Sequence, residues 1–271
     1  MFPNEGIKSI LIVTIFSISC GVLRAQNPFW VAKDKKIITE IISNYNQPKQ
    51  LEKLFPKEYH RPGSAYLGFG YKLLRKSLPG GYISIRAEFL YKKDSLIGYI
   101  IRPEMPSEKR LKRKYLKWYD GKFDVLNDLR LKPYYYRRTS FENPLEAFEG
   151  EKSSNDQIRF YMSPESGLSY GGRGGFSMNL LQNRKHFMEI QNDLDKQTVI
   201  ELMHSKNPAS RLTAIEYYYK HPDMFMNEKD KIDIWIQKVY KQVPMIDTLR
   251  GCFGGQEPSK DLVAEYSKVK L

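Results

Sequence analysis

Tyr82-Ile83-Ser84-Ile85-Arg86-Ala87-Glu88-Phe89 alternates apolar with small or polar residues, the period of a strand that buries one face. Lys92-Lys93-Asp94-Ser95 offers a turn, and Leu96-Ile97-Gly98-Tyr99-Ile100-Ile101 forms a second β-rich run that ends at Pro103. The pair reads as an antiparallel hairpin. Toward the N-terminus, Ile37, Ile38, Ile41, Ile42 and Tyr45 paint one face of a helix. Toward the C-terminus, Asp120-Gly121 lies between Tyr115–Tyr119 and Lys122–Val125, and both turn residues accept positive φ, which predicts a second hairpin. A competing assignment puts Leu111, Tyr115 and Trp118 on one face of a helix. Gln157–Met162 reads as a further strand, followed by a glycine-rich loop from Gly167 to Gly175. The expected fold class is therefore α+β: an N-terminal helix, a mainly antiparallel sheet to about residue 165, then an all-helical C-terminal region.

Beyond residue 180 the texture is helical. Asn207-Pro208 supplies an N-cap and a residue that tolerates losing its N–H. Leu212, Ile215, Glu216 and Tyr219 follow at helical spacing until His221-Pro222 interrupts them. Thr198–Met203 before this segment, and Ile232, Trp235, Ile236, Val239 and Tyr240 after it, predict neighbouring helices. Three short helices joined by Pro- and Asn-bearing turns resemble HEAT-like helical repeats over residues 195–245. The resemblance implies a surface for docking another protein. An ordinary helical bundle gives the same pattern.

The chain has 271 residues, 41% hydrophobic and 28% charged, enough to bury a core and unlike a disordered or fibrous chain. Lys8 precedes the apolar run Ser9–Cys20, too short to span a bilayer and suited to a signal-peptide core, with Ala25 placing cleavage before Gln26. Residues 1–25 are thus expected to be a leader for a periplasmic or secreted protein. Alternative readings keep the run as an uncleaved anchor or acylate Cys20 as in a lipoprotein. The remaining chain divides into a basic α+β region over 26–180 and a helical region over 181–271. Its other cysteine, Cys252, has no partner for an internal disulfide and reads as a small buried hydrophobe.

The charge of +13 is unevenly spread: residues 26–150 hold 25 Lys/Arg against 14 Asp/Glu, and residues 151–271 hold 17 against 16. Arg102, Lys109, Arg110, Lys112, Arg113, Lys114 and Lys117 crowd together, interleaved with Tyr115, Trp118 and Tyr119, and Arg137 and Arg138 follow Tyr134-Tyr135-Tyr136. Cations beside flat rings suit a ligand with negative charge and planar or sugar faces. A leader shifts that ligand away from nucleic acid and toward an anionic glycan or lipid headgroup of the cell envelope. The expected function is an exported, non-catalytic protein that binds such a component through Lys109, Arg110, Lys112, Arg113, Lys114, Tyr115, Lys117, Trp118, Tyr119, Arg137 and Arg138. The same residues also suit a solvated face whose stems cover apolar surface.

Other motifs compete. Gly167-Leu168-Ser169-Tyr170-Gly171 is similar to the nucleophile elbow of α/β-hydrolases, which would make the protein a secreted hydrolase using Ser169. That elbow needs a strand before it and a helix after it, and Gly171–Gly175 is a poor helix start. A carboxylate pair, Glu142 and Glu146, offers a second hydrolytic option, with both residues expected on an exposed turn at Pro144. His186, Glu189 and Asp193 have helical spacing that suits metal ligands, and equally suits an exposed charged face. No catalytic residue, metal or cofactor is assigned.

Overall fold

A computed structural model describes residues 26–55, 64–119, 121–126 and 130–268. The expected leader, Cys20 included, lies outside them, as does Asp120. The fold is α+β, with a five-stranded antiparallel sheet in the middle of the chain and helices toward the C-terminus. Helices α1 (Pro28–Asn44) and α2 (Pro48–Leu54) precede strands β1 (Ser64–Gly68), β2 (Tyr71–Pro79), β3 (Ser84–Lys92) and β4 (Ser95–Pro103). Helix α3 (Lys109–Tyr119) leads to β5 (Tyr134–Tyr136), and the sheet order is β1-β2-β3-β4-β5. The hairpin read from sequence is β3–β4, and its turn holds Lys93 at φ 53°.

Two assignments are corrected. Tyr115–Tyr119 is not the first strand of a second hairpin but the end of α3, and Gly121, at φ 66°, takes the left-handed conformation that a helix stop also favours. Positive φ is shared by both structures, and the burial of Leu111 and Tyr115 on one helical face decides between them. Gln157–Met162 is not a strand but part of helix α5 (Asp156–Met162). Asn155 caps it by accepting from the Gln157 and Ile158 amides at 2.8 and 3.4 Å, and the buried residues Ile158, Tyr161 and Met162 have i, i+3, i+4 spacing. The five-stranded sheet therefore ends at Tyr136.

The remaining elements are α4 (Thr139–Glu142), a short β6–β7 pair (Arg173–Gly174, Asn179–Leu180), α6 (Gln182–Ile190), α7 (Lys196–Leu202), α8 (Pro208–Lys220) and α9 (Lys229–Gln242). The hairpin β8–β9 (Met245–Arg250, Phe253–Pro258) and α10 (Ser259–Lys268) complete the order. The hairpin interrupts the expected run of helices. Its two-residue turn, Gly251-Cys252, leaves Cys252 exposed rather than buried, since a tip residue has no layer above it.

The chain divides into two compact units. The first gathers α1 and α2 with Ser77–Arg86 and Arg102–Pro133. In it α1 packs on α3, burying Ile37, Ile38 and Ile41 from one and Leu111, Tyr115 and Tyr119 from the other. The second includes Ala87–Ile101 and Tyr134–Leu271 and centres on α8. Residues Pro208 to Glu216 of α8 are all buried, so it has little amphipathic character and its polar groups must find internal partners. Ser210 Oγ donates to the Tyr161 carbonyl at 2.6 Å, and Thr213 Oγ1 to the Ala209 carbonyl at 2.9 Å. Arg211 donates through Nε to the Ser205 carbonyl at 2.8 Å and through Nη2 to the Leu67 carbonyl at 2.6 Å. Gly68, at φ 79°, is required beside it, because a Cβ there would lie 2.8 Å from the Val243 side chain.

Candidate anion-binding site

Helix α3 divides its residues between an interior and a wet face. Leu111, Tyr115 and Tyr119 recur every fourth residue, and all three are buried. The Tyr115 hydroxyl donates to Asp34 Oδ2 at 2.6 Å, and the Tyr119 hydroxyl to the Glu104 carbonyl at 3.1 Å. Burial and then the Asp34 carboxylate raise the Tyr115 pKa, so the phenol stays protonated and keeps donating. Asp34 is itself buried and also accepts from the Gly81 and Tyr82 amides at 2.6 and 2.9 Å. One carboxylate thus ties α1, the β2–β3 turn and α3 together within the first unit.

The opposite face is cationic. Lys109, Arg110, Arg113, Lys114 and Lys117 are exposed, and Lys112 is half-buried. The helix has six cations and no carboxylate, and three of the cations sit in its first turn. That end carries the positive pole of the helix dipole, so each cation there costs roughly 0.3–1 kcal/mol of helix stability. Trp118 is half-buried, stacked on Tyr115 at 4.5 Å, with Lys114 Nζ 5.3 Å from its ring centre. Of the three aromatic residues singled out in this segment, only Trp118 retains accessible surface beyond a trace.

Beside this face lies a cavity of about 500 Å³ lined by Arg86, Arg102, Lys112 and Arg130, with Glu104 as its single carboxylate among the described residues. Glu104 accepts from Arg86 Nε at 2.7 Å and from the Ser84 hydroxyl at 2.8 Å. Lys112 belongs both to α3 and to this cavity. Arg86 and Arg130 have no local sequence signal. Arg86 is the polar step of an alternating strand, and the cavity draws its lining from β3, the end of β4, α3 and residues 130–133, which are far apart in the chain. Pro103 and Leu131 supply apolar wall.

Arg137 and Arg138 fall in the second unit. Arg137 lies 5.4 Å from the Tyr136 ring centre and Arg138 lies 5.1 Å from that of Tyr135. Arg138 Nε also donates to Glu142 Oε1 at 2.5 Å, and Arg159 Nη2 to Glu142 Oε2 at 2.8 Å. Glu142 is buried rather than exposed at a turn. Exposed Glu146 accepts from the Tyr71 hydroxyl and, at 2.6 Å, from Lys92 Nζ. Burial opposes its ionisation, but the Lys92 and Tyr71 hydrogen bonds prevail and hold its pKa down at about 2. Glu146 is thereby held as a stabilised anion.

Ser169 is preceded by α5 and a short 3₁₀ turn, Pro164–Ser166, and followed by the β6–β7 pair. It therefore lacks the strand and helix of a nucleophile elbow. Tyr170 beside it is buried, donating to Glu216 Oε2 at 2.9 Å, and the Gly171 carbonyl accepts from Arg184 Nε at 3.0 Å. His186 Nδ1 lies 3.0 Å from Glu189 Oε2, and among the described residues no group of three His, Cys, Asp or Glu side chains is placed to hold a metal. No described helix is long and apolar enough to cross a membrane.

No protein-family model, curated protein or solved structure matches the chain.

Proposed function

We propose that this protein is an exported, non-catalytic module that binds an acidic glycan of the cell envelope through the cationic face of α3 and the cavity beside it. The observation that carries this reading is the double placement of Lys112, which joins a helix face with no acid to a recess whose described lining holds four cations and one carboxylate. Cations gathered at the wrong end of a helix dipole cost stability, and a ligand's negative charge offsets that cost. The recess offers room for a sugar ring, Arg forks for carboxylate or sulfate groups, and apolar wall for its C–H face. A glycan suits the site better than a bilayer. An interfacial helix buries its own apolar face in lipid, and that face of α3 is already spent on Asp34 and the core.

The test is titration of the protein with alginate, a polyuronate, at low and physiological salt, with anionic phospholipid vesicles in parallel. The expected result is saturable alginate binding that weakens steeply with salt and exceeds vesicle binding. Reversing charge at Lys109, Arg110, Lys112, Arg113 and Lys114 should abolish it. Equal binding by the reversed variant, or binding to vesicles alone, overturns the proposal.

A further inference from the structure

The second unit has a cavity unrelated to the cationic face. About 380 Å³ in volume, it is bounded by α7, α9 and the loop at residues 147–150, and its wall includes Phe148, Ile200, Ile232 and His204 together with Glu149 and Lys231. That volume lies within the range of small-molecule sites. His204 is held in a four-ring stack: Phe69 on Trp235 at 5.1 Å, Trp235 on His204 at 4.0 Å, and His204 tilted against Phe148 at 5.3 Å. Trp235 stacks with both Phe69 and His204, and its only donor, Nε1–H, is spent on the Met203 carbonyl at 2.9 Å. The tryptophan thus positions the imidazole and leaves the chemistry to it.

His204 Nδ1 lies 2.8 Å from the Ile200 carbonyl. A carbonyl only accepts, so Nδ1 carries the hydrogen and Nε2 is left with its lone pair. Among the described residues Nε2 has no partner, although the residue is only 9% exposed. Burial, with the charges of Arg211 and Lys238 also contributing, pushes the His204 pKa down to about 4, which keeps the ring neutral at physiological pH. A second acceptor belongs to the same wall. Glu228 accepts from Lys196 Nζ at 2.8 Å through Oε1, and its Oε2 is buried with no partner among the described residues. Gly150 brings the loop close to the cavity wall: a Cβ there would lie 2.6 Å from the Phe148 ring.

We propose that this cavity binds a small neutral molecule with an apolar body and a hydroxyl or N–H donor, which it presents to His204 Nε2. The apolar wall takes the body, and the rigid imidazole supplies the hydrogen-bond acceptor. The charged lining is mixed, Glu149 and Glu228 against Lys231, so an ion of either sign meets a like charge in the wall. A neutral donor meets no such conflict.

The experiment compares p-cresol with p-xylene, which matches its body and lacks the hydroxyl, using the full chain and ¹⁵N-detected histidine resonances. p-Cresol is expected to bind at least about 5-fold more tightly, the effect of one net hydrogen bond, and to shift His204 Nε2 upfield, with p-xylene leaving that resonance in place. In His204→Phe, which keeps a ring in the stack, the preference should fall to about one. Equal binding of the two probes by native protein overturns the proposal, as does p-cresol binding that leaves Nε2 unmoved or no binding of p-cresol at all. The native comparison decides the matter even if the variant fails to fold.

Discussion

Arg184 and Glu216 form a two-pronged ion pair in the interior of the second unit, with Nη2 and Nη1 donating to Oε2 and Oε1 at 2.5 and 3.1 Å and each side chain only 2% exposed. Lys220 Nζ and the Tyr170 hydroxyl also donate to Glu216, at 2.9 Å each. Burial alone would raise the Glu216 pKa, but the Arg184 and Lys220 bonds overcome it and lower it. Removing one member of such a cluster strands the other's charge. Glu216→Ala should destabilise the protein by about 3–5 kcal/mol in urea unfolding, whereas the paired replacement Arg184→Met with Glu216→Leu should cost far less. Equal losses in the two variants would show that the interior does not treat the pair as a unit.

Asp34 plays the corresponding part in the first unit, as a buried carboxylate with three donors. Asp34→Ala should cost about 2–4 kcal/mol, because the Gly81 and Tyr82 amides and the Tyr115 hydroxyl lose their shared acceptor. Tyr115→Phe removes one donor and should cost about 1–2 kcal/mol. Chemical unfolding followed by circular dichroism separates the two, and a Tyr115→Phe loss as large as that of Asp34→Ala would contradict a shared anchor.

What the sequence made legible was periodic and local. The β3–β4 hairpin, the isoleucine face of α1 and the Asn207-capped start of α8 each appear at the predicted place, because a strand alternation or a helix cap is complete within a few residues. The failures have the same physical origin. Gly121 takes positive φ in both a hairpin turn and a helix stop, and six residues from Gln157 are too few to separate a strand from one helical turn and a half. At the candidate site, α3's cations stood out in the sequence, but Arg86 and Arg130 did not. Their meeting with Lys112 depends on contacts far apart in the chain. Tyr115 and Tyr119 could not be assigned to interior or ligand by residue type alone. Their hydroxyls find acceptors in the interior, Asp34 for Tyr115 and the Glu104 carbonyl for Tyr119, and both rings are buried.

The first turn of α3 allows stability and binding to be separated. Lys109→Glu and Arg110→Glu replace unfavourable cations with anions that suit the helix N-terminus, each gaining roughly 0.3–1 kcal/mol. The double variant should raise the melting temperature by about 2–4 °C while weakening alginate binding. Calorimetry and titration on the same sample check both effects. Loss of stability in this variant would mean that the two side chains support the fold.

His204 gives the stability a pH dependence of definite sign. Burial, then the charges of Arg211 and Lys238, depress its folded pKa from 6.5 to about 4 despite the Ile200 hydrogen bond. Between those values the unfolded chain binds a proton that the folded chain refuses, so stability from this residue rises with pH across the window. It is fully present above about pH 6.5 and is lost as pH falls toward 4, by about 3 kcal/mol at most. Protonation would also place a charge on the ring held between Trp235 and Phe148. Urea unfolding at half-unit steps from pH 4 to 7 should show a steeper fall toward acid in native protein than in His204→Phe, where the other titrating groups remain. Parallel curves for the two proteins would mean that His204 takes up its proton without unfolding cost, by turning its ring out of the stack.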